Sequence, residues 1–392
     1  MRPLYFDYAA TTPVDDRVAE KMMAYLTRDG EFGNPASRSH LLGWMAEEAV
    51  EDARNEVADL IQADSREIVW TSGATEANNL AIKGVAENYD PADCHLISCG
   101  TEHKAVLDPL KYLESRGYPV TILAPNASGT VSAAAIAAAI TEQTRLVSIM
   151  AVNNETGVCN PIDEIGALCA EKGIYFHVDA AQAIGKIPFD VQSAQVTLLS
   201  MSAHKFYGPK GMGALYVRRR SPLNLVAQIQ GGGHERGMRS GTLPTHQIVG
   251  IGAAAKILNG GFDDEAERIA GLRDRLLQAL LHLGEVSING GAAARVPGLL
   301  NVCFHGVDGE ALMLAVRNLA LSTGSACNSA SIEPSFVLKA MGLSDQAAHS
   351  SLRLSLGRYT TEADVDGAIL SLTEAVNSLR KQAYSNKGTN HE

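Results

Sequence analysis

Short apolar runs alternate with helical patterns through the first two thirds of the chain. Seven of these runs are candidate strands: Glu67–Thr71, Leu96–Ser98, Val120–Leu123, Leu146–Val152, Tyr175–Val178, Thr197–Met201 and Ala214–Val217. Helical patterns lie between most of them, for example at Thr75–Glu87 and Ile162–Lys172. Such alternation is typical of an α/β domain and predicts a mainly parallel sheet of seven strands.

The pattern changes after about Gly250. A long helical stretch, Asp264–His282, is followed by short strands and further helices, which predicts a smaller α+β domain. The segment before Pro13 is too short to be a domain, so we expect it to pack against one or both of the others. We assign 14–255 to the large domain, and 1–13 together with 256–392 to the small one.

Composition and charge exclude several classes of function. The chain has 392 residues and a net charge of -11, so its overall charge does not favour binding to nucleic acid. Its first residues contain no apolar signal-peptide core, and no stretch is long and apolar enough to span a membrane. We therefore expect a cytoplasmic protein that binds neither nucleic acid nor a membrane.

The six cysteines fall into two groups. Five lie among apolar neighbours, where free cysteine packs as a small hydrophobic residue: Cys94, Cys99, Cys159, Cys169 and Cys303. Cys327 instead lies in Ser322–Ser331, a run of small and polar residues that predicts an exposed, mobile loop. The spacing of the histidines and cysteines suits no metal, so we predict no metal site.

The segment Thr71–Glu76, with the sequence TSGATE, follows a predicted strand and opens a predicted helix. Small residues let a ligand approach the backbone, and the free N–H groups and dipole of a helix start favour an anion. Simple helix capping explains the same residues equally well. On its own, the segment is therefore a weak signal of a phosphate site.

Two further segments place reactive groups after strands. Asp179 lies at the end of a predicted strand, where α/β sheets bind their ligands. Lys205 follows another strand, and an amine there can form a Schiff base with a carbonyl cofactor. Alone, Asp179 could cap a helix and Lys205 could lie on the surface. Together with a phosphate cradle they are the groups that pyridoxal phosphate requires.

These motifs together resemble the cysteine desulfurases of the IscS/NifS type, in the fold-type I, class V aminotransferase superfamily. The resemblance runs from Leu4 to about Arg380. The motifs that carry it are Asp7–Pro13, Phe32–Ser37, Thr71–Glu76, Thr101–Lys104, Val152–Glu155, Ser202–Lys205 and Ser325–Cys327.

The resemblance implies a pyridoxal 5'-phosphate enzyme in which Lys205 holds the cofactor and Asp179 pairs with the pyridine nitrogen. It also implies that His103 stacks on the ring and that Gln182 hydrogen-bonds the ring hydroxyl. The implied phosphate contacts are Ala74, Thr75, Ser202, His204 and, from the other subunit of a homodimer, Thr242.

The implied reaction removes sulfur from L-cysteine, releases L-alanine and leaves a persulfide on Cys327. In it, Lys205 takes the Cα proton, His103 is the acid or base for the substrate thiol, and the Cys327 thiolate attacks the substrate sulfur. The implied substrate contacts are Asn34, Asn154 and Arg353, whose planar guanidinium suits a carboxylate.

The sulfur is implied to pass to an acceptor protein, for iron–sulfur cluster assembly, RNA thiolation or DNA phosphorothioation. Housekeeping members of the family usually continue past the position where this chain ends, in a segment that helps to dock the iron–sulfur scaffold. The sequence therefore leaves the acceptor open. Two alternative functions are a selenocysteine lyase and a catalytically silent scaffold, and the presence of both Lys205 and Cys327 disfavours the scaffold.

Overall fold

A computed structural model describes residues 3–219, 223–323 and 334–388. After β1 (Leu4–Tyr5), a seven-stranded sheet is formed by β2 (Ile68–Thr71), β3 (His95–Cys99), β4 (Val120–Leu123), β5 (Thr144–Met150), β6 (Tyr175–Asp179), β7 (Leu198–Ser202) and β8 (Gly213–Val217). The strand order is β2-β8-β7-β6-β5-β3-β4. Strand β8 is antiparallel to both neighbours, and the other pairings are parallel. The predicted α/β class is confirmed, and each predicted strand overlaps an observed one.

Helices cover both faces of this sheet. They are α1 (Asp16–Met23), α2 (Leu41–Leu60), α3 (Ala74–Ala86), α4 (Lys104–Ser115), α5 (Ala133–Ala139), α6 (Ile162–Lys172) and α7 (Thr245–Asn259). Leu80 of α3 and Leu110 of α4 are buried on one face, whereas Val57 of α2 and Ile251 of α7 are buried on the other. Because both faces are covered, the central strands are buried along nearly their whole length rather than on alternate residues.

The ends of α6 follow directly from its sequence. Asp163 and Glu164 lie in its first turn and Lys172 in its last, where each charge opposes the partial charge of the helix end. Gly173 then ends the helix with a φ of +67°, in the left-handed region that glycine adopts without strain. These signals explain why the helix begins and ends where the pattern predicts.

The C-terminal part of the chain forms a second core. Its elements are α8 (Phe262–Leu281), β9 (Val286–Ile288), β10 (Leu299–Phe304), α9 (Gly309–Ala315), β11 (Leu319–Ala320), α10 (Phe336–Ala340), α11 (Asp345–His349), β12 (Ser351–Ser355) and α12 (Glu362–Gly388). Strand β10 lies between β12 and β9 in an antiparallel sheet. Leu276, Leu300, Leu354 and Val365 are buried together in this core. Within the described ranges, no helix combines the length and apolar content that a bilayer span requires.

The N-terminal segment contacts both cores. Strand β1 pairs in parallel with β11, and Phe6 is buried in the second core. Ala9, three residues later, is buried in the first core. The backbone between them is therefore held where the two cores meet.

A buried polar row lies beneath the end of β6. The Nδ1 atom of His177 lies 2.8 Å from Ser148 Oγ, and its Nε2 atom lies 3.0 Å from Ser200 Oγ. Burial lowers the pKa of His177 to about 3, because a charged imidazolium would lose its hydration there. The ring is therefore neutral at neutral pH, and it lies on the same face of the sheet as Asp179.

Replacing His177 by glutamine is expected to make the stability less sensitive to acid. The folded ring stays neutral down to about pH 3, whereas the unfolded ring binds a proton at about pH 6.5. Between these values the unfolded state holds the extra proton. In the wild type, His177 therefore lowers the free energy of unfolding by about 1.4 kcal/mol per pH unit of acidification.

Urea unfolding of both proteins at several values between about pH 6 and pH 5 measures this slope. A shallower slope in His177→Gln is the expected result. Equal slopes, or an NMR signal of the His177 ring that titrates at about pH 6, would show that the folded ring accepts a proton.

Candidate active site

A cavity of about 570 Å³ lies at the carboxyl ends of the parallel strands, which is the edge where α/β sheets bind ligands. Its walls come from the segments that follow β2, β3, β5, β6 and β7, from the N-terminal segment and from β12. Ten of the predicted site residues line it: Ala74, Thr75, His103, Asn154, Asp179, Gln182, Ser202, His204, Lys205 and Arg353.

The start of α3 forms one wall of the cavity. Gly73 is its N-cap residue, and no side-chain hydrogen bond caps the helix, so the amides of the first turn stay open to a ligand. Gly73 has a φ of +150°. The backbone of Gly213 lies so close that a Cβ atom on Gly213 would come within 2.6 Å of the Cα atom of Gly73. An open helix start with closely approaching backbone forms a cradle for an anion.

Glu76 holds this cradle in place. Its Oε2 atom accepts a hydrogen bond from Ser72 N–H at 2.8 Å, and its Oε1 atom accepts one from Arg239 Nε at 2.8 Å. Burial alone would raise the pKa of Glu76, but the hydrogen bonds from Arg239 and Ser72 outweigh it and lower the pKa. This ion pair ties the cradle to the segment that carries Thr242, and no sequence motif indicated it.

Asp179 is oriented by hydrogen bonds to both of its carboxylate oxygens. Asn78 Nδ2 donates to Oδ2 at 2.7 Å, and the backbone N–H of Ala181 donates to Oδ1 at 2.9 Å. The side chain is buried at the end of β6. Asn78 lies on α3, so the same helix that forms the anion cradle also fixes the carboxylate.

Lys205 lies in a short turn directly after β7. Its Nζ atom donates to the carbonyl oxygen of Ala9 at 2.7 Å and to that of Ala10 at 2.8 Å. These two acceptors belong to the N-terminal segment, which thereby holds the amine at the cavity wall.

His204 is neutral beside this lysine. Its Nδ1 atom lies 3.1 Å from Thr11 Oγ1. Burial, together with the positive charges of Lys205, Lys210 and Lys186, lowers the pKa of His204 to about 4. At neutral pH the ring can therefore donate or accept a hydrogen bond without adding a charge to the cavity.

His103 is the N-cap residue of α4, and this role determines which nitrogen carries its proton. Its Nδ1 atom accepts a hydrogen bond from Ala105 N–H at 3.1 Å. Because Nδ1 is an acceptor, the neutral ring carries its proton on Nε2. His103 therefore meets the cavity as an imidazole with a fixed tautomer.

Arg353 reaches the cavity from β12. It donates from Nη1 to the Asn154 carbonyl oxygen at 2.9 Å and from Nη2 to Asp7 Oδ1 at 2.8 Å. Its Nε atom and Asn154 Oδ1 are buried without a hydrogen-bond partner in the part of the chain that the structure describes. Buried polar atoms are normally paired, so these two point to a ligand. The sequence motif Asp7–Pro13 contained Asp7, but nothing in it indicated a contact with Arg353.

Three predicted site residues are not placed in the cavity. Asn34 is exposed, and its Oδ1 atom accepts a hydrogen bond from Ala36 N–H at 2.9 Å. Thr242 is exposed and lies three residues after Arg239, the partner of Glu76. Cys327 lies outside the described residues. The roles assigned to these residues remain predictions.

The other five cysteines pack as expected for inert thiols. Burial raises the pKa of the thiol to about 11 in Cys94 and Cys159 and to about 12 in Cys169. It also raises the thiol pKa of Cys99 and Cys303. Because the thiolate is the nucleophile, none of these five is activated for sulfur chemistry at neutral pH.

Comparisons with known proteins identify the family of the chain. The chain matches the family model described as Aminotransferase class-V over residues 4–367. It is 59% identical over 381 residues to a protein from Shewanella sp. (strain W3-18-1) named cysteine desulfurase IscS, with 97% of this chain and 94% of that one covered.

Two solved structures extend the comparison. One, named NifS-like protein, superposes with a TM-score of 0.89 at 36% identity and covers 97% of this chain and 100% of its own. The other, SspA in complex with cysteine, has a TM-score of 0.81 at 42% identity, over 91% of this chain and 99% of its own. Sequence and structure therefore agree over nearly the whole length, and the chain belongs to the class-V aminotransferase family and, within it, to the cysteine desulfurases of the IscS/NifS type.

Proposed function

We propose that the chain uses pyridoxal 5'-phosphate, bound in the cavity described above, to take sulfur from L-cysteine and carry it as a persulfide on Cys327. One observation carries the proposal: Lys205, Asp179 and the open start of α3 all line the same cavity. An amine, an oriented carboxylate and an anion cradle are the groups through which a protein binds this cofactor.

The cavity residues fit the cofactor group by group. Ala74 and Thr75 in the first turn of α3 would hold the phosphate, with Ser202 and neutral His204 beside them. Asp179 would pair with the ring nitrogen, and its hydrogen bonds from Asn78 and Ala181 keep it from turning away. When bound, the cofactor supplies an electron sink for the negative charge left after the substrate loses its Cα proton.

Arg353 is the group that we assign to the substrate carboxylate. Its two terminal nitrogens donate hydrogen bonds to the Asn154 carbonyl and to Asp7, and its buried Nε atom is left for a further acceptor. A planar guanidinium held in this way suits a carboxylate. The related SspA structure contains cysteine, which supports L-cysteine as the substrate here.

Two residues move protons in the proposed reaction. The Nζ atom of Lys205, held between the Ala9 and Ala10 carbonyls, takes the proton from the substrate Cα atom. His103 uses Nε2 to give or take the proton of the substrate thiol, because Nδ1 is bound to Ala105 N–H. His103 would also stack on the cofactor ring, and this stacking would orient the imidazole.

Cys327 performs the sulfur step. Its thiolate forms a bond to the substrate sulfur while the carbon–sulfur bond breaks, and the electron pair stays on the carbon. That carbon takes a proton and leaves as the methyl group of alanine, so no external oxidant or reductant is needed. The other five cysteines have raised thiol pKa values, which supports Cys327 as the nucleophile.

We also propose that the enzyme is a homodimer that passes sulfur to an acceptor protein. Thr242 is exposed and outside the cavity of its own chain, as expected if it completes the phosphate site of a second copy. Large apolar side chains are exposed on the N-terminal part of the chain, which favours a partner surface there: Met23, Leu26, Phe32, Leu41 and Trp44.

The two buried cores support a division into two domains. The first core is built mainly from residues between 14 and 255, and the second mainly from residues after 256 together with Phe6. We propose that these cores are the large domain and the small domain, with residues 1–13 belonging to the small one.

Replacing Cys327 by alanine is expected to abolish persulfide formation while the protein still binds the coloured cofactor. The physical reason is that the variant lacks the only thiol to which we assign the sulfur step. Loading with sulfur-labelled L-cysteine, followed by a denaturing gel without reductant, measures the persulfide. Addition of extract from the source cells then identifies the labelled acceptor.

Cys159→Ala is the matched control, because burial keeps that thiol protonated and its removal should leave labelling intact. Normal labelling of Cys327→Ala would remove Cys327 from the mechanism. A wild-type chain that never takes up label would instead favour a catalytically silent scaffold.

Replacing Arg353 by alanine is expected to raise the KM for L-cysteine by roughly 10- to 100-fold, the loss for hydrogen bonds to a charged group. Steady-state alanine release over a range of L-cysteine concentrations gives KM and kcat separately. Arg116→Ala, which removes an exposed arginine on the far end of α4, should change neither value. An unchanged KM in Arg353→Ala would mean that another group binds the carboxylate.

The homodimer is tested by sedimentation, which should give a particle of twice the 41.6 kDa chain mass. Thr242→Ala should weaken cofactor binding roughly tenfold, the effect of one lost hydrogen bond. Mixing refolded Thr242→Ala and Lys205→Ala chains should restore tight binding in half of the mixed sites, since each mixed dimer then has one complete site. A single-chain particle, or a mixture without recovery, would overturn the shared site.

A further inference from the structure

Lys186 is a second lysine close to the site, and the proposed mechanism does not use it. It lies in the turns that follow β6, four residues after Gln182. Together with Lys205 it lines a small cavity of about 40 Å³ between the two cores, whose other walls include Phe262 and Leu299. A lysine in such surroundings loses much of its hydration, so its position calls for a compensating interaction.

Within the described ranges, Lys186 forms no ion pair, and its recorded hydrogen bond runs from Nζ to the side-chain oxygen Oε1 of Gln182. Burial lowers the pKa of Lys186 well below its usual value, and the positive charges of Lys205 and Arg353 lower it further. An amine and an ammonium group both donate hydrogen bonds. The contact with Gln182 therefore persists whichever form Lys186 takes.

The amide group of Gln182 is held from both ends. Its Oε1 atom accepts from Lys186, and its Nε2 atom donates to the carbonyl oxygen of Ala9 at 2.8 Å. In this contact the lysine acts as the donor, and a backbone carbonyl can only accept. Both contacts therefore favour the same orientation of the amide, with Oε1 toward Lys186 and Nε2 toward Ala9.

This orientation decides what Gln182 offers to a ligand. Gln182 lines the active-site cavity, and its NH₂ group has two hydrogens, of which Ala9 takes one. The second hydrogen is left for an acceptor. Without Lys186, the oxygen end of the amide would be a buried acceptor without a partner, and a rotated amide would become possible.

We propose that Lys186 is a positioning residue that fixes the Gln182 amide so that it presents an N–H donor to the ring oxygen of the bound cofactor. This inference rests on the proposed function, because it needs the cofactor in the cavity. A donor at that oxygen stabilises its negatively charged form. Loss of the donor therefore raises the proton affinity of the ring oxygen and changes the absorption of the bound cofactor.

The test uses the loaded, full-length protein and reads the cofactor spectrum rather than activity. Lys186→Met keeps the length of the side chain but removes the donor. We expect the pH midpoint of the spectral transition to rise by about one unit, the size of one hydrogen bond, because the ring oxygen then holds its proton more tightly. Lys186→Arg, which keeps a donor, should restore most of the wild-type spectrum.

Two comparisons separate positioning from packing. Lys172→Met makes the same change at an exposed lysine on α6 and should leave the spectrum unchanged. Lys186→Met in a Gln182→Ala background should add no further shift, because the residue through which Lys186 acts is then absent. A shift that persists in this background would show that Lys186 acts directly, and it would overturn the proposal.

If Lys186→Met does not fold or does not bind the cofactor, Gln182→Glu provides the second test, because it keeps the contact with Lys186 but loses the N–H donor. It should raise the midpoint in the same direction. A wild-type midpoint in either loaded variant would reject the inference. A wild-type chain that binds no pyridoxal phosphate would instead reject the proposed function, so the two failures are distinguishable.

Discussion

The backbone of Asp7–Thr12 is the constraint on which the active site depends, because it is bonded to both cores at once. The carboxylate of Asp7 holds Arg353, which belongs to the second core. Two residues further on, the Ala9 carbonyl accepts from Lys205, which follows a strand of the first core. The amine and the guanidinium are thus held relative to each other by one short turn of the chain, in which the N–H groups of Ala10 and Thr11 donate to the Asp7 carbonyl, so a shift of either core would move both groups.

The sequence revealed the residues whose position follows from topology. Asp179 and Lys205 each come directly after a buried strand, and parallel strands end at the same edge of the sheet, so their meeting was predictable. Asn78 was not, because it reaches Asp179 from 101 residues earlier in the chain and no local pattern encodes that contact. Lys186 was missed for a similar reason, since a lysine in a turn is typical of a solvated surface. The role of Thr242 stays a prediction, because its proposed contact belongs to a second copy.

The charge of the cavity is opposite to that of the molecule. The chain as a whole carries a net charge of -11, whereas the cavity is lined by three cationic side chains, Lys205, Lys210 and Arg353, and by two carboxylates, Glu76 and Asp179. Neutral His204 adds no further positive charge. A local excess of positive groups favours ligands with a phosphate or a carboxylate, and the acidic exterior disfavours polyanions such as nucleic acid. Selectivity for small anions is therefore built into the distribution of charge as well as into individual hydrogen bonds.

The position of the antiparallel strand β8, between β2 and β7, also determines when the seven-stranded sheet can be completed during synthesis. Strand β2 lies at the edge of the sheet and pairs only with β8 among its strands, yet β8 is made well over a hundred residues later. Until β8 has been made, β2 has no strand with which to pair, and the start of α3 that follows β2 is not held in position. A ribosome-bound chain therefore carries its anion cradle unassembled until more than half of its residues have been made. Its assembly then waits for the pairing of two strands that are far apart in the sequence, which is a slow step. An anion can therefore bind at this helix start only after β8, the last strand of the sheet to be made, has been inserted between β2 and β7.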